Sequence, residues 1–165
     1  MMQKRASPFN SALETGVRTL AVLVASYPMA HDLDRLVQYD YLAVHSADAG
    51  GPPSLHPPLP LRSGELLVRR GLIDAGLRLM ISRALIRRDL QLNGILYVAE
   101  DVAGAFLDNM RSPYIRQLRD RAEWVAATFD KLSVADLKTV TRRFFDAWTT
   151  EFHLVQSALQ TDMVP

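Results

Sequence analysis

The chain contains no cysteine, and this absence removes several classes of function. Among its 165 residues there is no thiol, which excludes disulfide scaffolds, cysteine-ligated zinc or iron–sulfur sites and a cysteine nucleophile. The chain also lacks an excess of charge of either sign, since 19 Lys and Arg are balanced by 18 Asp and Glu, for a net charge of +1. A polybasic protein that binds through bulk charge is therefore excluded. The 48% hydrophobic content suits a soluble, cytoplasmic globular protein with a real core.

The sequence also lacks a segment typical of export or membrane insertion. A basic start and the apolar run 19–26 resemble a signal peptide, but Glu14 and Arg18 stand before that run. No later uncharged run approaches the roughly 18 residues that a bilayer span needs. Apolar side chains recur at helical spacing at Leu13, Val17, Leu20 and Val24. With Ser11 and Glu14 as a capping box, residues 12–26 are expected to form a buried amphipathic helix, and no membrane partner is expected.

Signatures of catalysis are missing as well. The histidines stand apart from one another, without metal-ligand spacing, at His31, His45, His56 and His153. No Gly-Lys-Ser/Thr follows Gly50-Gly51, no G-x-S-x-G motif occurs, and the carboxylates are scattered rather than paired. We therefore expect no enzyme activity, no metal and no cofactor.

Proline is concentrated in one place. Residues 50–60 hold five of the nine prolines in the chain, and such a segment forms neither a helix nor an interior strand. We expect residues 46–62 to be a semi-rigid, extended insertion. Its apolar side chains, and the histidine among them, either bind in a groove of another protein or cover the chain's own core. The candidate partner-binding residues of this arm are Leu55, His56, Leu59 and Leu61.

The order of elements around this insertion predicts a mainly α, α+β fold. Helices are expected at about 12–26, 33–45 and 64–84, with Asp32 capping the second. The pair Asn93-Gly94, between segments that alternate in polarity, is a strong β-hairpin signal for 85–99. Helix, helix, helix and hairpin is the order of a winged helix-turn-helix domain, here 9–110, with the hairpin as its wing. Gly71 and Gly76 mark either a break in the third helix or a close backbone approach, and Asp101 is expected to cap a short helix after the hairpin.

A helical extension is expected after this domain. Ser112-Pro113 and Ser133 are helix-start signals, and we expect residues 111–160 to form a C-terminal helical hairpin. The last helix is longer than a small domain needs, at about 1.5 Å per residue. Its aromatic residues Trp148 and Phe152 are therefore candidates for partner binding, although core packing is the alternative.

Arginine is unevenly distributed. Seven arginines and three acidic residues between 62 and 89 give this stretch a local charge of +4 (7 − 3). In a winged helix they would lie on the recognition helix and wing, where phosphates are contacted. A solvated or protein-facing surface is the alternative, and the 17-residue Pro-rich connection before this helix is unlike the short turn of an ordinary helix-turn-helix. The candidate nucleic-acid-binding residues are Arg69, Arg70, Arg78, Arg83, Arg87 and Arg88.

Several segments together resemble a known family. The most distinctive is Gly-Gly-Pro-Pro-Ser-Leu-His-Pro-Pro at 50–58, and the others lie at 9–11, 14–16, 39–42, 44–48, 62–70 and 94–97. They are similar to the small middle component of bacterial ABC-three-component systems, and the resemblance covers about residues 9–155.

The resemblance implies a non-enzymatic adaptor with protein partners. Such a subunit would accompany an SMC-like ABC ATPase and an effector-bearing third component, in Lamassu-like systems thought to defend against phages or plasmids. It would bridge the two, with direct DNA contact left open. The alternative is a free-standing winged-helix transcriptional regulator, which would bind DNA as a homodimer.

Overall fold

Helices make up most of the chain that the structure describes. The computed structural model describes residues 11–57 and 65–143. The helices are α1 (Ala12–Ser26), α2 (Leu33–Val44), α3 (Glu65–Ser82), α4 (Ala103–Asp108), α5 (Pro113–Phe129) and α6 (134–143), with a 3₁₀ turn at Ser46–Ala49. The strands β1 (Ile86–Gln91) and β2 (Gly94–Ala99) form an antiparallel hairpin. The predicted mainly α, α+β class is thus confirmed.

The predicted helix starts are formed by side chains that accept backbone N–H groups. Ser11 Oγ accepts from Glu14 N at 3.1 Å, and Asp32 Oδ1 accepts from Arg35 N at 2.8 Å. Ser112 and Ser133 do the same for α5 and α6, at 3.2 and 3.1 Å. Each cap satisfies an N–H that has no partner within its own helix, which explains why these starts were predictable.

The helix α1 lies at the centre of the fold. It contacts α2, α3, α4, α5 and β2, and its side chains from Thr15 to Leu23 are buried on every side. A helix surrounded in this way buries more than one stripe, and its buried residues include the polar Thr15, Arg18 and Thr19. The predicted amphipathic face was therefore wrong in one respect, because Leu13, assigned to that face, is 58% exposed.

Two glycines allow α1 and α3 to cross at short distance. A Cβ atom on Gly76 would lie 2.6 Å from the backbone nitrogen of Gly16, closer than real Cβ contacts occur. The predicted close backbone approach is confirmed at this position. Around Gly71 nothing lies within 4 Å of such an atom, and α3 continues through both glycines without a break.

The hairpin is confirmed, but its turn lies one residue earlier than predicted. Gln91 is opposite Gly94, so Leu92 and Asn93 are the two turn residues. Gly94 has a φ of +138°, which only glycine adopts readily. The observed register places Ile86 opposite Ala99 in the core, and a slip of one residue would turn both side chains to the other face.

A further backbone contact joins the hairpin to the segment between α1 and α2. His31 N donates to Tyr97 O at 2.9 Å, and Tyr97 N donates to His31 O at 2.8 Å. This antiparallel bridge lies on the edge of β2 that faces away from β1. The base of the hairpin is thereby fixed to the helical body.

Asp101 does not cap α4 as predicted. The helix begins after Val102 without a side-chain cap, and Asp101 Oδ1 instead accepts from the hydroxyl of Tyr27 at 2.6 Å. The carboxylate of Asp101 thus accepts from a phenol 74 residues away in the chain and not from an N–H of α4. Local sequence does not reveal such a distant donor.

One hydrophobic core includes α5 and the start of α6. The helix α5 buries one apolar stripe at helical spacing, formed by Ile115, Leu118, Ala122, Val125 and Phe129. They join the side chains of α1, α2 and α3 in a single cluster that also contains Leu137 of α6. The segments expected as 9–110 and 111–160 share this core. No helix among the described residues is long and apolar enough to cross a bilayer.

Candidate functional site

The described part of the Pro-rich arm, residues 50–57, packs on the chain's own helices. Val44 O at the end of α2 accepts from the backbone N–H groups of Leu55 and His56, at 3.0 and 3.1 Å. On the other side, Arg121 Nε of α5 donates to Pro53 O at 2.9 Å. Leu55 is partly buried against the core, so at this residue the arm covers its own core. Leu59 and Leu61 lie outside the described residues.

A tryptophan of α5 holds the start of the arm. The indole of Trp124 is so close to Gly51 that a Cβ atom on Gly51 would lie 2.4 Å from it. A residue with a side chain would therefore push the arm away from α5. The second glycine of the distinctive Gly-Gly-Pro-Pro sequence, Gly51, is thus explained by packing within this chain.

His56 fixes the arm through its ring. His56 Nε2 lies 2.8 Å from the Tyr114 hydroxyl in a hydrogen bond, and the two rings are stacked at 6.1 Å between centroids. Its neighbour His45 meets it edge-on. Burial lowers the pKa of both histidines to about 4, helped by Arg69 at His45 and by Arg18 at His56. Both imidazoles are therefore neutral at neutral pH.

A buried carboxylate between two arginines lies beneath the arm. Arg18 Nε donates to Asp40 Oδ1 at 2.8 Å, and Arg69 Nη1 bonds the other oxygen of that carboxylate. Burial alone would raise the pKa of Asp40, but the two guanidinium groups outweigh it and lower that pKa. Arg69 also lies over the ring of Tyr41, at 5.6 Å from the centroid. Sequence reasoning placed Asp40 on a mixed apolar face of α2, and a carboxylate among apolar positions was the signal for a buried ion pair.

A second polar cluster joins the ends of α1, α2 and α5. Asp130 Oδ1 accepts from the Tyr39 hydroxyl at 2.7 Å and from Ser26 Oγ at 3.2 Å. Arg35 Nη1 donates to the same Tyr39 hydroxyl at 3.0 Å. His31 Nε2 lies 3.2 Å from Asp130 Oδ1 without hydrogen-bond alignment, and burial lowers the pKa of this histidine. These groups fasten helices to one another, and within residues 11–57 and 65–143 no three metal-ligating side chains converge.

The six candidate nucleic-acid-binding arginines divide into two sets. Arg69 is turned inward to Asp40, with 13% of its side chain exposed. The others face outward, and three of them have acidic neighbours: Arg70 with Asp34, Arg78 with Asp74 and Arg87 with Glu100. Arg83 and Arg88 are exposed and form no ion pair with a described residue. The remaining candidates, Trp148 and Phe152, lie outside the described residues.

Sequence reasoning missed an apolar surface at the end of the hairpin. The hairpin tip, defined as Leu90, Leu92 and Ile95, has exposed fractions of 75%, 106% and 44%. The available signal was Leu92 beside Asn93-Gly94, with Leu90 two residues before it, because polar residues are usual at and near a turn.

Residues 8–151 match the family model described as ABC-three component (ABC-3C) system Middle Component 2. Neither a curated protein nor a solved structure matches the chain. The family match includes the arm, both polar clusters and the hairpin, which is most of the chain. The chain therefore belongs to the Middle Component 2 family of ABC-three component systems.

Proposed function

We propose that the chain is a non-enzymatic adaptor of an SMC-like ABC ATPase defence complex, in which it bridges the ATPase and an effector-bearing third component. The observation that carries this proposal is the family match over residues 8–151. A middle component of a three-component system acts together with other components, and an adaptor role follows from that position.

The chemistry of the polar clusters supports an adaptor rather than an enzyme. Asp40 is engaged by Arg18 and Arg69, and Asp130 by the hydroxyls of Tyr39 and Ser26. Each carboxylate joins helices that are distant in sequence, and the exposed fractions are only 1% for Asp40 and 13% for Asp130. Buried groups of this kind hold a fold in one arrangement, which is what an assembly subunit needs.

We also infer that the helices α1 to α3 and the hairpin form a winged helix. The hairpin follows α3 directly, and the bridge from His31 to Tyr97 adds an extended residue to the edge of β2. A winged helix has a short strand at this place, between its first two helices. The Pro-rich arm then takes the place of the short turn before the recognition helix, here α3.

Co-expression of the three components tests the bridging role. The ATPase is purified by an affinity tag, with and without the middle component, and the retained effector component is quantified. We expect the effector component to remain bound only when the middle component is present. A middle component that elutes alone, or an effector component that binds the ATPase equally well without it, would contradict the proposal.

Direct DNA contact is a second candidate, favoured by the exposed arginines of α3 and the segment after it. We expect Arg78→Glu with Arg83→Glu to weaken duplex DNA binding at least tenfold, because phosphate contacts depend on positive charge. The exposed pair Arg142→Glu and Arg143→Glu on α6 makes the same charge change elsewhere and is the control. Equal effects of both pairs, or none, would argue against a DNA site on α3. Specific binding of a homodimer to its own promoter would instead favour the transcriptional regulator.

A further inference from the structure

The hairpin tip is an apolar surface that the described part of the chain leaves exposed. Leu90 and Ile95 are opposite each other in the strand register, so their side chains are neighbours on one face. Leu92 is in the turn beyond them and is fully exposed. A two-residue turn forms equally well with polar residues, and clustered apolar exposure on a protein surface is typical of a binding site.

The strand next to this tip has an open edge. Among the described residues β1 pairs only with β2, whose other edge is occupied at Tyr97 by His31. Residues 87–91 are all exposed. Unpaired N–H and C=O groups along such an edge are a ready template for another strand.

The side chains along β1 define what kind of strand would fit. Arg88 and Leu90 project to the same face, because side chains alternate along a strand. Arg87, on the opposite face, already has Glu100 within 3.5 Å, whereas Arg88 has no acidic partner among the described residues. A carboxylate opposite Arg88 and an apolar side chain opposite Leu90 would complete this face.

We propose that β1 and the hairpin tip bind an extended segment of a companion protein component by strand addition. The segment carries an apolar side chain against Leu90, whose other side is covered by Ile95, and, two residues away, a carboxylate facing Arg88. Main-chain hydrogen bonds along the β1 edge supply affinity, and the alternate side chains supply specificity. This interface rests on the proposed adaptor function, because it assigns one of the contacts that such an adaptor must make.

The same surface fits a protein better than a nucleic acid. Contacts to a nucleic-acid backbone come from cations, hydroxyls and amides, whereas the exposed tip of this hairpin consists of the apolar residues Leu90, Leu92 and Ile95. Arg88 alone supplies charge on the apolar face. Nucleic-acid binding by the hairpin is therefore kept as an outcome of the test.

The test compares binding of the full-length chain to each co-expressed component. The tip variant is Leu90→Thr, Leu92→Ser and Ile95→Thr, which keeps strand-forming residues in both strands. The control is Leu13→Ser with Val102→Thr, since these residues are similarly exposed, at 58% and 60%, and lie elsewhere. We expect at least a tenfold loss of affinity for one component in the tip variant, with an unchanged melting temperature, and no loss in the control.

Two further measurements identify the mode of binding. Arg88→Glu should weaken binding to the same component, since it would face a carboxylate. Hydrogen exchange of the wild-type complex should slow at those amides of residues 87–91 that point away from β2, as strand addition requires.

Several results would overturn this interface. They are unchanged affinity in the tip variant, an equal loss in the control, unprotected β1 amides, or a loss of DNA binding with component binding intact. If the wild-type chain binds none of the components, the adaptor function itself fails together with this interface. If the wild-type chain binds a component and the tip variant binds it equally well, the proposed interface is wrong but the adaptor function stands.

Discussion

Asp40 is a single residue on which three helices depend. It extends from α2 to Arg18 of α1 and Arg69 of α3, and its side chain is 1% exposed. Removal of the carboxylate would leave the two guanidinium groups without the negative charge that balances them in the interior. Asp34, six residues earlier on the same helix, pairs with Arg70 at the surface, where its side chain is 43% exposed.

We expect Asp40→Asn to lower the free energy of unfolding by about 3–5 kcal/mol, because the amide cannot balance the guanidinium of Arg18. The matched change Asp34→Asn should cost about 0–1 kcal/mol, since an exposed ion pair contributes little. Urea denaturation of both variants measures the difference. Similar small losses in the two variants would show that the buried pair is not the main fastening of these helices.

The crossing of α1 and α3 is the clearest constraint at the level of elements. We expect Gly76→Ala to destabilise the protein by about 1–3 kcal/mol, because the added carbon would overlap the backbone at Gly16. Gly71→Ala, on the same helix but in open space, should stabilise it by about 0.5–1 kcal/mol through helix propensity. Thermal denaturation compares the two. A stabilising Gly76→Ala would mean that the helices separate without cost.

The arm is an element whose attachment depends on pH. His45 and His56 have pKa values of about 4 in the folded chain against about 6.5 in the unfolded chain. Between these values the unfolded chain binds more protons, so stability is full above about pH 6.5 and falls as the pH drops toward 4. Each histidine contributes at most about 1.4 kcal/mol per pH unit.

Urea denaturation at several pH values between 4 and 7 measures this dependence. His56→Gln should reduce the slope, because a neutral side chain replaces one titrating histidine, while His45 and His31, whose pKa values are also lowered by burial, still contribute. Asp40 adds little to the pH dependence in this range, because its pKa is lowered. Its contribution to stability is lost only below about pH 4, the pKa of a carboxyl in the unfolded chain. A wild-type stability that stays flat from pH 6.5 to 4 would contradict the assignment.

At the scale of the whole molecule, the single core decides what folds. Because Leu118, Val125 and Phe129 of α5 pack with α1 and α2, we expect a fragment of residues 1–110 to lack a cooperative thermal transition. Circular dichroism and the dispersion of amide signals in NMR test this. A fragment that melts as sharply as the full chain would show that residues 9–110 are an independent domain.

The features that were predictable from sequence are those with local causes. The caps at Ser11, Asp32 and Ser112, the α5 stripe and the hairpin each depend on neighbours within a few residues. The ion pair of Asp40 depends on partners 22 and 29 residues away, and the packing of Pro53 depends on Arg121, 68 residues away. Such contacts arise from the way helices pack, and a single sequence carries no periodic signal for them.

The bridge between His31 and Tyr97 has a mechanical consequence. Its two backbone hydrogen bonds, at 2.9 and 2.8 Å, tie the hairpin to the segment between α1 and α2, which are both largely buried. The base of the hairpin can therefore be displaced only if these hydrogen bonds break or if the segment between α1 and α2 moves with it.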